Sequence, residues 1–525
     1  MTAYRSNAMV SRAVLALLSG LLLGLSTLDS RLYLTGWIGF LPLLLALEGR
    51  SLRQSYLLGM LTGIVFWAAA SYWLADFIVN LKGYPRLPST LLAALFWVYA
   101  GQGFGLVALA YQWLRQWLRT GQVFILPLAF VAGFSLYPVL FRFRLGEAQT
   151  GFPLALQGAD LVGAYGIDFM LALASAVLFF CWRRRGVGPW ELLALGLLSG
   201  WFGYGALALH RWDAAIAEWP HKRIGIVQPN DPPSIDIPPP EPGYSRALPP
   251  ELEMTGRLAA AGAELVVWPE ARYKGYFDQR AVRDAYEYSI GKHGVPLLFH
   301  DLERRQEAGR WRQYNAAALL DATGRLQSTY HKVKLFAFGE YTPLVGELPL
   351  VRKWVRGYFG DFLADITPGE GHEVWPTAGM RLVPKICYES AFPEFMAGAI
   401  GADAAGKVIV ILSQDSWFGR SRQPYQHLWQ SALRAVENRV PVVHAINGGP
   451  SGVILPSGRI AFQSRPFVRG EHLVAVPYAE SSGGSFYARH PYLFITVIYA
   501  LFGGLLLWSL LAWRREARLA APARP

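Results

Sequence analysis

Apolar residues are distributed along this chain in two different ways. In 13–28, 33–47, 56–79, 90–114, 123–141, 162–180, 191–209 and 492–513 they run almost without interruption. A helix needs roughly 20 such residues to cross a hydrocarbon core of about 30 Å, so these stretches predict eight membrane spans. The first two are separated only by Asp29, Ser30, Arg31 and Leu32, which predicts a tight hairpin. From 222 to 477 the pattern changes to short apolar runs set between polar helical stretches and Gly/Pro punctuation. Strands are predicted at 223–228, 264–268, 295–300, 315–321, 381–387, 407–413, 440–445 and 452–455. Most are continuously apolar, the mark of strands covered on both faces, so the segment reads as a soluble α/β domain. Within it, 231–250 (DPPSIDIPPPEPGYSRALPP) is too proline-rich for helix or central strand and reads as an extended loop, either a spacer or a lip over a site. The chain thus divides into a seven-helix transmembrane domain (1–221), an α/β domain (222–480) and a last span with its tail (490–525), with no internal repeat.

Composition and charge turn this pattern into a topology. The 525 residues are 53% hydrophobic and only 16% charged, too apolar for an ordinary soluble enzyme of this size. Arg5 and Arg12, Arg50 and Arg53, Arg115 and Arg119, Arg183–Arg185, and Arg514, Arg515 and Arg518 fall on one side, which the positive-inside rule makes cytoplasmic. Fewer cations, Arg31, Lys82, Arg86, Arg142 and Arg144, fall on the other. Both termini are therefore expected inside and 222–480 outside. A net charge of +12 invites a nucleic-acid reading, but the arginines cluster beside apolar runs and not along one face, so no nucleic-acid partner is expected. The basic N-terminus ahead of an apolar run also fits a cleaved signal peptide, against which six further spans and the lack of a small-x-small site weigh. A transporter with an appended sensor domain is the competing class. Only Asp76 and Asp168 stand out as charges within the spans, fewer than a solute path would need. The two cysteines, Cys181 at a cytoplasmic span end and Cys387 in the exported segment, cannot meet, which excludes a disulfide framework.

Three residues carry candidate chemistry. Cys387 ends the apolar run RLVPKIC ahead of YESAFPEF, a strand-to-helix turn at which a helix N-terminus would lower the thiol pKa; buried packing is the plain alternative. Glu270 ends ELVVWPE, where Trp268 and Pro269 would raise its pKa and suit it to general-base work; otherwise it is a surface glutamate at a turn. Lys332, in YHKVKLFAFGEYTP, is placed to stabilise an oxyanion, with Lys334 as its rival. The aromatic segments 273–277 and 336–338 are candidates to dip into the bilayer.

In this order, WPE, HKVKLFAFGEY and ICYE resemble the carbon–nitrogen hydrolase (nitrilase) superfamily. With seven spans before the domain and one after it, the whole chain resembles that superfamily's membrane-fused branch, the apolipoprotein N-acyltransferases. The resemblance implies an αββα sandwich with Glu270 as general base, Lys332 as oxyanion-stabilising lysine and Cys387 as nucleophile. It makes Glu340 the second glutamate near the lysine. It matches Tyr388 and Glu389 to the family YE, with the Tyr388 N–H joining Lys332 in the oxyanion hole. Asn315 in QYNAA and the segment SQDSWFG also match family motifs, so Trp268, Asn315, Trp417 and Phe418 are pocket candidates, the aromatics being equally explicable as core. The implied reaction moves an acyl chain from a membrane phospholipid through a Cys387 thioester to the α-amine of a diacylglyceryl-modified apolipoprotein. It needs no cofactor and no metal, and is carried out by a monomer in the bacterial inner membrane with its catalytic domain in the periplasm. Ala337, Gln414, Ser416 and Gly449 depart from the family pattern. These departures leave acyl chemistry intact and leave open a membrane-bound paralogue that hydrolyses an amide or acylates a different amine.

Overall fold

The computed structural model describes residues 2–520 apart from 234–238, 271–272, 338, 342–349, 351–365 and 482. Part of the proline-rich loop, Phe338 and the two residues after Glu270 therefore lie outside the described residues.

Among the described residues, six helical stretches are long and apolar enough to cross a membrane: Val10–Leu28, Ser30–Leu47, Arg86–Trp117, Ala159–Arg184, Pro189–Ala217 and Leu493–Leu519. The predicted span 56–79 is instead two helices, α1 (Leu52–Ala70) and α2 (Leu74–Lys82), bent by 55°. The break falls at Ser71, which leaves helical geometry (φ −129°, ψ 35°) while its hydroxyl donates to Trp67 O at 2.6 Å. The predicted span 123–141 stops early, at Leu136. Pro138 forces the residue before it out of the α region, and Tyr137 accordingly has ψ 125°. The predicted count of eight spans thus becomes six long helices, one bent pair and one short apolar helix, Gln122–Leu136.

The helix α1 and the next, α3 (Arg86–Trp117), approach most closely where Gly59 and Gly63 meet Gly101 and Gly105. A Cβ on Gly63 would lie 2.7 Å from Gly101 O, and one on Gly101 2.9 Å from Ile64 N. Small residues four apart on both helices permit this contact, which any larger side chain would wedge open. Gly101→Leu is expected to lower the thermal midpoint of the detergent-solubilised protein by several degrees; an unchanged midpoint would contradict the close crossing.

Among the described residues, the segment after the seventh predicted span forms two six-stranded sheets from twelve strands. In sheet order, one is β12 (Gly470–Pro477), β1 (His221–Gln228), β2 (Leu265–Val267), β3 (Leu297–Glu307), β4 (Arg310–Leu320) and β5 (Leu326–His331). The other is β11 (Ile460–Gln463), β10 (Gly452–Ile454), β9 (Val442–Asn447), β8 (Lys407–Gln414), β7 (Met380–Ile386) and β6 (Trp375–Thr377). In each, three parallel strands are flanked by antiparallel ones. Ile224, Ile226, Val267 and Leu298 of the first sheet pack with Leu382, Val408, Val410 and Val443 of the second. The opposite faces are covered by helices: Met254, Tyr286 and Ile290 against the first sheet, Met396, Leu428 and Ala432 against the second. This is an αββα sandwich. Because the central strands are buried on both faces, each Val, Ile or Leu contributes about 1.5–3 kcal/mol by leaving water, and alternation disappears from the sequence.

The helix α4 (Gln423–Asn438) joins the sandwich to the membrane bundle. Several of its hydrophilic residues are buried, and some meet partners on the bundle. Glu437 accepts from the Ala164 N–H at 2.8 Å, and Arg439, just past its end, pairs with Asp160 at 2.7 Å and donates to Gln157 at 2.9 Å.

Candidate active site

Three strand ends converge. Glu270 follows β2, Lys332 follows β5, and Cys387 follows β7 of the facing sheet. Cys387 has a left-handed backbone (φ 49°), unusual for a residue with a side chain, and opens a five-residue 3-10 turn, Cys387–Ala391. The next α-helix begins only at Pro393, so the helix N-terminus expected behind the sulfur is a 3-10 turn instead.

The lysine is 1% exposed and ion-paired with two carboxylates, Glu340 at 2.9 Å and Glu270 at 3.6 Å. Asn315, on β4, binds the same two carboxylates, its Nδ2 donating to Glu270 at 2.9 Å and to Glu340 at 2.5 Å. The second Glu270 oxygen accepts from the Gln414 N–H at 3.1 Å, and that of Glu340 from the Phe336 N–H at 2.7 Å. Lys334 stands outside this cluster, over the rings of Phe392 and Phe395, so geometry separates it from Lys332.

Electrostatics follow from this packing. Burial raises the Glu270 pKa, but the Lys332 ammonium, His300, Asn315 and the Cys387 thiol together take it below the ordinary value, opposite to the rise expected from Trp268 and Pro269. Burial raises Glu340, with Glu270 adding to the rise. Burial and the Glu270 carboxylate push the Cys387 thiol well up, where a helix N-terminus was expected to lower it. These directions make the resting pair a thiol beside a carboxylate.

Glu389 is a strut. Its Oε1 accepts from Tyr330 Oη (2.7 Å), Val333 N (2.8 Å) and Lys334 N (3.2 Å), and its Oε2 from Ile386 N (2.8 Å). One carboxylate thus ties the segment after Lys332 to the turn that carries Cys387. Tyr388 turns towards the membrane bundle, where its hydroxyl accepts from Arg142 N at 2.8 Å and donates to Leu140 O at 3.2 Å.

Two cavities meet at the sulfur. One, of about 180 Å³, is lined by Glu270, Lys332 and Cys387 together with Trp417, Phe418 and, from α2, Phe77 and Leu81. The other, of about 90 Å³, lies between Cys387, Tyr388 and the bundle residues Trp67, Trp73 and Phe143. Phe336 lines both and stacks on Phe141 at 5.1 Å. A thiol, a carboxylate and an imidazole from Cys387, Asp415 and His427 also come within 4.8 Å of one another, a possible set of metal ligands. Both His427 nitrogens already have hydrogen-bond partners: Asp415 for Nδ1, Ser390 and the Cys387 carbonyl for Nε2.

Residues 209–480 match the carbon-nitrogen hydrolase family model, and residues 19–178 match the apolipoprotein N-acyltransferase N-terminal domain. An apolipoprotein N-acyltransferase of Pseudomonas syringae is 30% identical over 493 residues, 90% of each chain. The chain belongs to the apolipoprotein N-acyltransferase family. A second apolipoprotein N-acyltransferase, from Geobacter metallireducens, is 29% identical over 532 residues and 96% of each chain. Among solved structures, an amidase from Nesterenkonia sp. is similar over 53% of this chain and 96% of its own, at 20% identity and a TM-score of 0.37.

Of the residues that the apolipoprotein N-acyltransferase resemblance singled out, the structure brings Glu270, Lys332, Cys387, Glu340, Asn315, Trp417 and Phe418 to one cavity. It does not bring Trp268 there. That side chain is buried against Tyr286 and Phe299 on the helix-covered face, with Nε1 donating to Thr255 at 2.9 Å. In 273–277 the Lys274 and Tyr276 N–H groups donate to Asp301, and Tyr276 is 1% exposed. Sequence reasoning missed His300, Asp415 and His427. His300 lines the cavity and is held to Asn315, with burial lowering its pKa to about 4, so it is a neutral ring at the cavity wall. A lone histidine at a strand end gave no signal of this. Asp415 and His427 sit in SQDSWFG and QHLWQ, segments already matched to the family, and only the fold shows that they touch.

Proposed function

We propose that this chain transfers an acyl group from a membrane phospholipid to the α-amine of a diacylglyceryl-modified apolipoprotein. The observation that carries the reading is the convergence of Glu270, Lys332 and Cys387 on a cavity to whose wall the apolar helix α2 contributes Phe77 and Leu81. A lipid ester can reach the sulfur there without leaving an apolar surface.

Glu270 takes the Cys387 proton as Sγ bonds to the ester carbonyl carbon. Lys332 and the Tyr388 N–H stabilise the oxyanion, and the C–O bond breaks as Glu270 returns the proton to the departing lysophospholipid oxygen. The acceptor amine then bonds to the thioester carbon, loses its proton to Glu270, and the C–S bond breaks to regenerate the thiol. Asn315 and Glu340 hold Glu270 and Lys332 in place, Trp417 and Phe418 line the acyl channel, and neither a cofactor nor a metal takes part. In this reading the bent pair and the short helix Gln122–Leu136 count as crossings alongside the six long helices, and the positive-inside rule puts the sandwich in the periplasm and both termini in the cytoplasm of an inner-membrane monomer with no nucleic-acid partner.

Glu270→Gln tests the base. The amide oxygen still accepts from Asn315 while its NH₂ meets the Gln414 N–H, so the variant should fold at a cost of about 1–3 kcal/mol while acyl-enzyme formation falls by about 10²–10⁴-fold. Retention of more than a tenth of the rate would rule out Glu270 as the base. The pH profile supplies an independent check. Because the working form is ionised and its pKa is lowered, the rate should hold as pH falls to the ordinary glutamate value of 4.5 and decline only below it.

A further inference from the structure

Next to Cys387 lies a buried constellation to which the proposed reaction gives no task. His427 Nδ1 is 3.0 Å from both carboxylate oxygens of Asp415, and its Nε2 is 3.2 Å from the Cys387 carbonyl oxygen. Asp415 is fully buried and His427 nearly so. A carbonyl oxygen has no proton to give, so Nε2 carries one and donates it. Ser390 Oγ lies 3.0 Å from Nε2, 3.2 Å from the same Cys387 carbonyl and 2.7 Å from Gln430 Oε1; the shortest of these contacts takes its one proton, which leaves Oγ to accept from Nε2. With Nε2–H turned to the backbone, the ring has no free lone pair on that nitrogen to take the thiol proton, so it is not a second base.

What it does hold is the Cys387–Tyr388 peptide. In a trans peptide the N–H points opposite to the C=O, so fixing the carbonyl also fixes the direction of the Tyr388 N–H. At φ 49° that peptide follows a strained residue whose own preferences would rotate it elsewhere, and strain of this kind persists only where surrounding groups over-determine it.

We propose that Asp415 and His427 clamp the Cys387 carbonyl and thereby aim the Tyr388 N–H at the oxyanion, as positioning residues for acyl transfer. This rests on the acyl-transfer reading above. The His427 pKa moves accordingly: burial lowers it, but Asp415 and the Cys387 carbonyl raise it above the ordinary value.

The test separates carbonyl chemistry from thiol chemistry. Acylation of Cys387 by a phospholipid and by a p-nitrophenyl ester passes through an oxyanion; alkylation by iodoacetamide does not. His427→Leu should slow both acylations by about 10²-fold, as loss of an oxyanion donor does, with unchanged KM and an alkylation rate within about threefold of the native one. His427→Gln, which retains an N–H donor of similar reach, should recover part of the loss. Asp415→Asn, which keeps the imidazole but weakens its hold, should fall between. Acylation and alkylation slowed together would overturn the clamp in favour of a direct effect on the thiol, and acylation at the native rate in both His427→Leu and Asp415→Asn would overturn it outright. If the native chain reacts with the p-nitrophenyl ester and not with phospholipid, the lipid reading fails while the clamp is still judged on the ester. Should His427→Leu not fold, Asp415→Asn and His427→Gln carry the same comparison.

Discussion

Lys332→Met is expected to slow acylation of Cys387 by about 10²–10³-fold, the loss typical of a buried oxyanion donor, and to destabilise the catalytic domain by about 3–5 kcal/mol. The second effect arises because the lysine neutralises two carboxylates at once. Without it, Glu270 and Glu340 remain buried on the same Asn315 amide with no cation. The sign of the pH dependence should invert locally. In the native chain Glu270 has a lowered pKa, so its contribution is present above 4.5 and lost as pH falls through the lowered value. In Lys332→Met the buried carboxylates rise above their unfolded values, so the variant should gain stability relative to the native chain as the pH is lowered. Adding Glu340→Gln removes one charge and should restore most of the thermal midpoint but none of the rate. Thermal denaturation between pH 5 and 8, alongside acylation rates, checks both halves; a single variant as stable as the native chain at pH 8 would contradict the shared ion pair.

Glu389→Gln should be nearly as damaging although it touches neither cavity. The carboxylate accepts four hydrogen bonds, three on Oε1 and one on Oε2. An amide has an acceptor at one end only. If its oxygen faces Tyr330, Val333 and Lys334, its NH₂ meets the Ile386 N–H, leaving two buried donors face to face at about 1–3 kcal/mol, with further loss from uncharging the other three bonds. Because these bonds join the lysine segment to the cysteine turn, acylation should fall by more than tenfold even at temperatures where the variant is folded. Tyr330→Phe removes one donor to Glu389 and the acceptor of the buried Lys385 Nζ, and should cost about 1–3 kcal/mol with little loss of rate. Equal stability for the native chain and Glu389→Gln would show that the strut holds nothing.

The residues that were readable in the sequence and those that were not differ in physical situation. All eight strands expected from apolar runs are present, and they are the ones inside the two sheets. The four that were missed, Leu326–His331, Trp375–Thr377, Ile460–Gln463 and Gly470–Pro477, are the four sheet edges, where fewer neighbours leave LQSTYH or WPT no need of a continuous apolar run. The bend at Ser71 was hidden because hydropathy averages over the one residue whose hydroxyl shares the Trp67 carbonyl with its own backbone N–H. Trp268 was misplaced for a reason of periodicity: Val267 faces the other sheet, so its neighbour in sequence must face the helices. Glu270, Lys332 and Cys387 stood out because motif order marks strand ends. Their pKa directions did not, since the Glu270 shift depends on a lysine 62 positions away in sequence that only the fold brings within 3.6 Å.

Intact mass spectrometry of the purified protein, after incubation with a phospholipid and then with a diacylglyceryl-cysteine peptide, tests the central claim most directly. The native chain should gain one hydroxylamine-sensitive acyl mass that is absent in Cys387→Ser, and that mass should pass to the peptide amine. Transfer only to water or to a different amine would contradict the lipoprotein acceptor, and no adduct with any phospholipid would contradict acyl transfer through Cys387.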